Sequence, residues 1–342
     1  MRVAVYYNNS DVRLEELPKP QIGQGELLLR IEASGICGSD VMEWYRIKKA
    51  PLVLGHEIAG EIIEVGKDVK RYKKGDRVSA SHHVPCNTCH YCLTDRHTVC
   101  DTLRSTNFDP GGFAEFVRLP AINVDRGVYP LPNEVSYEEG TFIEPVACVL
   151  RAQRIARLRP GQSVLVVGSG MTGLLQIYLA RAFGAGRIMA TDISQYRLDT
   201  DLRFGAEAVI HAGEDVPGKV RELNCGRLAD VVFVCTGAVS AIHQALDSVE
   251  RGGTVLLFAP TDPGVKIPLD VTEMFFRNGV TLTSSYAGSP ADHMTAVELL
   301  RSGTLNVRDM ITHRLPLAET GKGFKLVADA KESMKVIIEP QK

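Results

Sequence analysis

The sequence lacks a surplus of either charge: 39 Lys and Arg stand against 41 Asp and Glu, a formal net charge of -2 over 342 residues. A chain this balanced has no electrostatic footprint for nucleic acid or an anionic membrane surface, which leaves a small molecule as the expected partner. Long apolar runs are missing too. The longest, such as Val164–Val167 and Val231–Val234, fall far short of the roughly 20 residues that span a bilayer. The opening residues Met1–Asn8 carry one positive charge and a short apolar run, too little for a secretory signal, so the expectation is a cytoplasmic protein. There is no internal repeat and no low-complexity stretch. With 44% hydrophobic and 23% charged residues, disorder, collagen and membrane bundles are excluded, and two globular domains are expected.

What is present in excess is cysteine. Four of the eight fall within fifteen residues, as Cys86, Cys89, Cys92 and Cys100, a C-x2-C-x2-C-x7-C run. In a reducing cytosol such closely spaced thiols are better explained as metal ligands than as disulfides. Four thiolates leave a tetrahedral ion no open position, so the expected zinc is structural, pinning a lobe with little core of its own. Four free thiols or an iron–sulfur cluster are the alternatives. His82, His83, His90 and His97 lie nearby, and four correctly spaced thiols make them redundant here. Cys148, Cys225 and Cys235 read as small buried residues.

Two rhythms divide the chain. Up to about Pro145, short alternating runs such as Leu27–Ala33, Ile58–Val65 and Phe116–Leu119 are punctuated by Gly and Pro, the pattern of a loop-rich β domain. From Gln162 onward, wholly apolar strands alternate with helices. The strands are Ser163–Gly168, Arg187–Asp192, Ala208–Ile210, Asp230–Cys235 and Thr254–Phe258; the helices are Met171–Phe183, Gln195–Phe204, Pro217–Leu223 and Ser240–Arg251. That alternation predicts an α/β fold, a doubly wound parallel sheet covered on both faces. A further strand Thr281–Ser285, a helix Ala291–Ser302 and a terminal strand Met334–Ile338 follow, and the tail is expected to return to the first domain.

Gly168-Ser169-Gly170-Met171-Thr172-Gly173 follows a buried strand and opens a helix. Its glycines allow a tight turn, close approach of backbone to a pyrophosphate and packing of helix on strand. Asp192 ends the next strand 19 residues after Gly173, where a carboxylate accepts from both adenine-ribose hydroxyls and repels a 2'-phosphate. NAD is therefore favoured over NADP. Arg197, able to suit a 2'-phosphate, pulls the other way.

Cys37 in Gly35-Ile36-Cys37-Gly38-Ser39-Asp40 and His56 in Leu54-Gly55-His56-Glu57 do not stand out alone. Together with the cysteine run, the glycine fingerprint and Glu144-Pro145, they occur in an order that resembles the zinc-dependent medium-chain alcohol dehydrogenases over nearly the whole chain. The nearest branches are the sorbitol (L-iditol) and threonine 3-dehydrogenases. Gly60 and Glu61, Gly112–Phe116, Asp192–Leu198 and Thr312–Leu317 carry the same likeness. The resemblance implies a GroES-like catalytic domain over residues 1–150 with its zinc lobe at about 82–104, a Rossmann domain over 151–287, and a segment 288–342 that returns to the catalytic domain. It places a catalytic zinc in a cleft, with Cys37 and His56 as ligands, Glu144 as third ligand, and Glu57 as exchangeable ligand or supporting carboxylate. Cys148 competes with Glu144 for the third position. It also implies Ser39 as the proton-relay hydroxyl, and NAD contacts from Gly168, Gly170, Met171, Thr172, Gly173, Asp192, Ile193, Arg197, Thr236, Phe258, Ala259, Pro260, Ser284, Ser285 and Tyr286. Glu43, Phe108 and Tyr286 would face the substrate. Two zinc ions per chain and a homotetramer or homodimer, with Thr281–Ser285 as pairing edge, complete the expectation.

The sequence departs from those relatives at three points. Met42 stands where a relay histidine is common, with His82 and His83 as unranked substitutes; Glu43 and Ser285 stand where the sorbitol branch has a tyrosine and an arginine. The expected activity is hydride transfer between NAD and a secondary alcohol, most simply a polyol or sugar alcohol. Oxidation of an amino alcohol, as in the threonine branch, is the alternative. A non-catalytic NAD-binding relative and a zinc-free quinone reductase using NADPH are rivals of other classes.

Overall fold

The computed structural model describes residues 1–342. The chain forms two compact units, one of Met1–Ala147 with Ala287–Lys342, the other of Cys148–Tyr286.

The second unit is a six-stranded parallel sheet. Its spatial order is Ala208–His211, Ile188–Asp192, Val164–Val167, Ala229–Val234, Val249–Leu257 and Thr281–Ser284. Alternation along the β-branched strands divides their side chains between the two faces. Leu165, Val167, Val232, Val234 and Val255 pack with Val216, Val220, Ile242 and Leu246 on one side. Val164, Val166, Val231, Phe233 and Leu256 pack with Ile177, Ala180 and Ala152 on the other. Both faces are covered, as the continuous apolar runs require. One expected boundary is corrected: Glu250 and Arg251 do not end a helix but lie in the strand Val249–Leu257, the preceding helix stopping at Asp247. Their charges resemble a solvated helix end, and the strand accommodates them because both side chains lie near its start, where Arg251 is exposed.

The first unit is built on a mixed sheet ordered Ile311–Pro316, Lys335–Glu339, Leu27–Gly35, Glu57–Val65, Arg77–Ala80 and Val128–Pro130, with Phe116–Leu119 also pairing to Leu27–Gly35. The returning strand Lys335–Glu339 pairs Ile337 with Gly35 and Ile338 with Ser34, so the tail completes the sheet that leads into Cys37. Leu27, Leu29, Ile31, Ile58, Ile62, Val78, Val117 and Leu119 form its principal core. Cys92, Cys100 and Leu103 form a small separate cluster in the cysteine lobe. No helix is long and apolar enough to cross a membrane.

Candidate functional site

Three sets of side chains carry chemistry. The first is the cysteine lobe, where the ligand atoms of Cys86, Cys89, Cys92 and Cys100 lie within 4.8 Å of one another. The Cys86–Cys92 and Cys89–Cys92 sulfur separations are 3.9 and 3.6 Å. A tetrahedral zinc with Zn–S of about 2.3 Å needs sulfurs about 3.8 Å apart. Backbone N–H groups of Thr88 and Cys89 donate to Cys86 Sγ, and that of Cys86 to Cys100 Sγ. Those donors push the Cys86 thiol down to about 5, Thr88 contributing most. Burial, with the neighbouring thiols, pushes Cys92 up to about 12. Four thiolates this close need a cation, and the set is compatible with a structural zinc. Cys100→Ser is expected to remove one zinc per chain and open the lobe to proteolysis, because Leu103 and the cysteines are nearly all of its core; the sheet core should persist, checked by metal analysis and limited digestion.

The second set is Cys37, His56 and Glu57, whose ligand atoms also lie within 4.8 Å of one another. Cys37 stands in the turn that follows Leu27–Gly35, fixed by its N–H to Asp40 Oδ2 at 3.0 Å and by Asp40 N–H to its carbonyl at 3.0 Å. Asp40 is fully buried. Its Oδ1 lies 3.4 Å from His56 Nδ1 and 3.4 Å from an Arg46 nitrogen, an arrangement that turns Nδ1 away and leaves Nε2 for a metal. Burial alone would pull His56 down, but Asp40 and Cys37 outweigh it and hold the imidazole well above its ordinary range. Sulfur, nitrogen and carboxylate oxygen together are a zinc donor set. Glu144 and Cys148, on the helix Ile143–Ile155, are not among the three.

The sequence reading did not find Arg46 and Lys335. Arg46 donates to Ser39 Oγ at 3.0 Å and to the Ser39 carbonyl at 2.9 Å. Lys335 forms a wholly buried ion pair with Glu57. A lysine within the apolar run Met334–Ile338 was the one signal available for the latter. His82 lies 4.8 Å from the His56 ring and His83 3.8 Å from His82, which ranks His82 nearer the donor set. Burial keeps both neutral, His83 at about 4 and His82 well below its usual value. Phe108 is buried in the principal core, edge-on to His82 at 6.0 Å. Glu43 is exposed at the start of a short helix, its carboxylate accepting the Asn9 N–H at 3.2 Å.

The third set lies at the carboxyl ends of the parallel strands, where open α/β sheets bind ligands. Gly168 has φ +92°, a left-handed conformation that glycine adopts without strain, and a Cβ on Gly173 would overlap the Gly168 carbonyl. Space beside Gly170 is open, and the helix Met171–Ala182 begins there without a side-chain cap, leaving first-turn N–H groups free for an anion. Asp192 accepts from Ser169 N–H at 2.8 Å and Ser194 N–H at 2.9 Å, and Arg197 lies 3.5 Å from it. Thr236, Phe258, Ala259, Pro260, Ser284, Ser285 and Tyr286 all follow or end the remaining strands at this same edge, and Ile193 is exposed beside Asp192. Of the three cysteines expected to be buried, Cys148 and Cys235 are only partly so and Cys225 is exposed. Cys225 sits at φ +54° in the turn after the helix Val216–Leu223, where the chain leaves the core.

Comparison with known proteins agrees with this arrangement. Residues 23–133 match the family described as alcohol dehydrogenase GroES-like domain, and residues 172–302 match zinc-binding dehydrogenase. Sorbitol dehydrogenase of Bacillus subtilis is 31% identical over 353 residues, covering 100% of this chain and 98% of its own. L-threonine 3-dehydrogenase of Bacillus licheniformis is 34% identical over 334 residues, covering 95% and 94%. A zinc-binding dehydrogenase of Sinorhizobium meliloti, solved with NADP bound, superposes with a TM-score of 0.88 at 25% identity and 99% coverage of both chains. With a nucleotide-binding parallel sheet, a GroES-like unit and two candidate zinc sites, the chain is a zinc-binding oxidoreductase. It belongs to the zinc-dependent medium-chain alcohol dehydrogenase superfamily.

Proposed function

We propose that the protein oxidises a secondary alcohol, of the polyol or sugar-alcohol class, with NAD as hydride acceptor. The observation that carries this reading is the convergence of Cys37, His56 and Glu57, with the Ser39 N–H on Cys37 Sγ. A zinc held there, with Glu57 or Glu144 as its carboxylate, would supply a Lewis acid that makes an alcohol acidic near neutrality. Ser39, whose N–H donates to Cys37 Sγ at 3.4 Å, is the residue assigned in this reading to take the alcohol proton. Arg46 donates to Ser39 Oγ, which fixes that hydroxyl's rotamer and leaves its own hydrogen to be passed on. Met42 carries no proton, so the relay ends elsewhere than at this residue.

The Asp192 carboxylate, pinned by two backbone N–H groups, supports NAD over NADP. Arg197 is engaged with that carboxylate instead of being offered to a 2'-phosphate. A cytoplasmic location and pairing of subunits through the sheet edge Thr281–Ser284 accompany this reading.

The test is reduction of NAD and NADP with a panel of polyols, amino alcohols and simple alcohols. Cys37→Ser is expected to lower kcat/KM about 10³-fold, since the metal contributes several kcal/mol at the transition state, and to lower zinc from two per chain to one. Full activity in zinc-free protein would overturn the proposal. Activity confined to amino alcohols would move the substrate to the threonine type, and a preference for NADP would overturn the role given to Asp192.

A further inference from the structure

Lys335 is the first residue of the strand Lys335–Glu339, and its side chain reaches Glu57 of the donor set. Its ammonium pairs with Glu57 Oε2, both side chains having zero exposure. The other carboxylate oxygen, Glu57 Oε1, is buried and has no hydrogen-bond partner. The pair meets in the space that Gly35 leaves empty: a Cβ at position 35 would overlap the Glu57 carboxylate and crowd the Lys335 ammonium. The ring of Phe142, itself fully buried, stands 5.3 Å from the ammonium on another side.

A buried ion pair is weak evidence for stability, because two apolar side chains of similar volume serve as well or better. This pair does something two apolar residues would not do. It divides the Glu57 carboxylate into an oxygen that is claimed and an oxygen that is free, in a group that belongs to the Cys37–His56–Glu57 set. It also sets the charge. A Cys37 thiolate and a lone Glu57 would together cancel a divalent cation, whereas with Lys335 counted the three groups carry one net negative charge.

We propose that Lys335 is a positioning residue for the metal site: by holding one oxygen of Glu57 it presents the other as a weak, single-oxygen donor that can be exchanged. The inference rests on the reading of Cys37, His56 and Glu57 as metal ligands. Without Lys335, Glu57 has both oxygens and its full charge to offer, and is expected to chelate the metal and raise its coordination number.

The experiment uses the zinc-loaded protein and its cobalt(II)-substituted form. Wild type, Lys335→Met, Glu57→Gln and the double variant are compared by zinc content, by the rate at which the more labile zinc passes to a chelator, and by the visible d–d spectrum of cobalt. Lys335→Met is expected to retain two zincs, to release the labile one about tenfold more slowly, and to show weaker cobalt absorption as the site moves from four ligands towards five. Because Lys335 acts through Glu57, the double variant should match Glu57→Gln in both readouts. The double variant leaves no uncompensated buried charge, and Glu57→Gln leaves only a lysine that can shed its proton, so this comparison stands even where Lys335→Met fails to fold. If wild type holds two zincs and Lys335→Met equals it in release rate and spectrum, or if the double variant departs from Glu57→Gln, the assignment is overturned alone. If wild type holds one zinc per chain, in the cysteine lobe, the metal reading and this assignment fall together.

Discussion

Replacing Asp201 with asparagine will stabilise the chain strongly at pH 9 and far less at pH 5. Asp201 lies on the helix Gln195–Arg203 with no exposure, and neither carboxylate oxygen has a hydrogen-bond partner. Burial pushes its carboxyl up to about 8, with the charge of Asp192 adding to the rise and Ser169 and Arg197 opposing it. Nearby Cys235, its thiol raised by burial and by Asp201, offers no compensating positive charge. Because the folded value lies above the ordinary 3.8, the folded chain keeps a proton that the unfolded chain has released. Asp201 costs nothing below about pH 4, and stability falls as pH rises from there to about 8, where the full penalty is reached. A shift of that size corresponds to at most about 6 kcal/mol, and relaxation around the charge brings the expected loss to about 2–4 kcal/mol. Asparagine has the same shape and no charge to bury. Denaturant midpoints of the two proteins at pH 5, 7 and 9 measure the effect; parallel pH profiles would sink it.

Asp201 also illustrates where sequence reading stops. Leu198 and Asp201 are three apart and share the buried face of their helix, yet a carboxylate in such a helix reads as solvent-facing unless the register is known. The glycine fingerprint, the cysteine run and the strand–helix alternation were legible because each is a local pattern, complete within about twenty residues and dictated by backbone geometry or ligand spacing. The chain's alternation of wholly apolar strands with helices predicted the parallel sheet, and that sheet is present with its core divided between two faces. Cys37 and His56 needed the resemblance to be singled out, because 19 residues separate them and neither sits in a motif that declares itself. Lys335 and Glu57, 278 residues apart, meet only because the returning strand pairs with Leu27–Gly35. Arg46 escaped for a different reason: its value lies in reaching back to Ser39 from a short helix of four residues, too brief to register as periodicity. The Glu250–Arg251 boundary was misread because charged residues near a strand's start resemble a helix end, and Cys225 because a single small residue carries no pattern at all.

Gly35→Ala is expected to damage the centre of the first unit, and its neighbour Gly38→Ala to do little. Gly35 is held in register between Glu57 on one strand and Ile337 on another, so its backbone cannot swing aside without breaking two ladders. A methyl group there would overlap the Glu57 carboxylate and press on the Lys335 side chain. Neither can retreat, since both are fully buried and Phe142 stands against the ammonium. Separating a buried ion pair without replacing it costs about 3–5 kcal/mol, a large part of the stability of an ordinary domain. Gly38 lies one residue beyond Cys37, and a Cβ there meets nothing within 4 Å, so that substitution shares the sequence neighbourhood without the obstruction. Gly35→Ala should therefore melt several degrees lower and lose the zinc of the Cys37–His56–Glu57 set while keeping the one held by four cysteines. Metal content per chain and thermal denaturation of the two variants measure this. If Gly35→Ala retains both zincs and the wild-type midpoint, the empty space at position 35 is not what lets Glu57 and Lys335 meet.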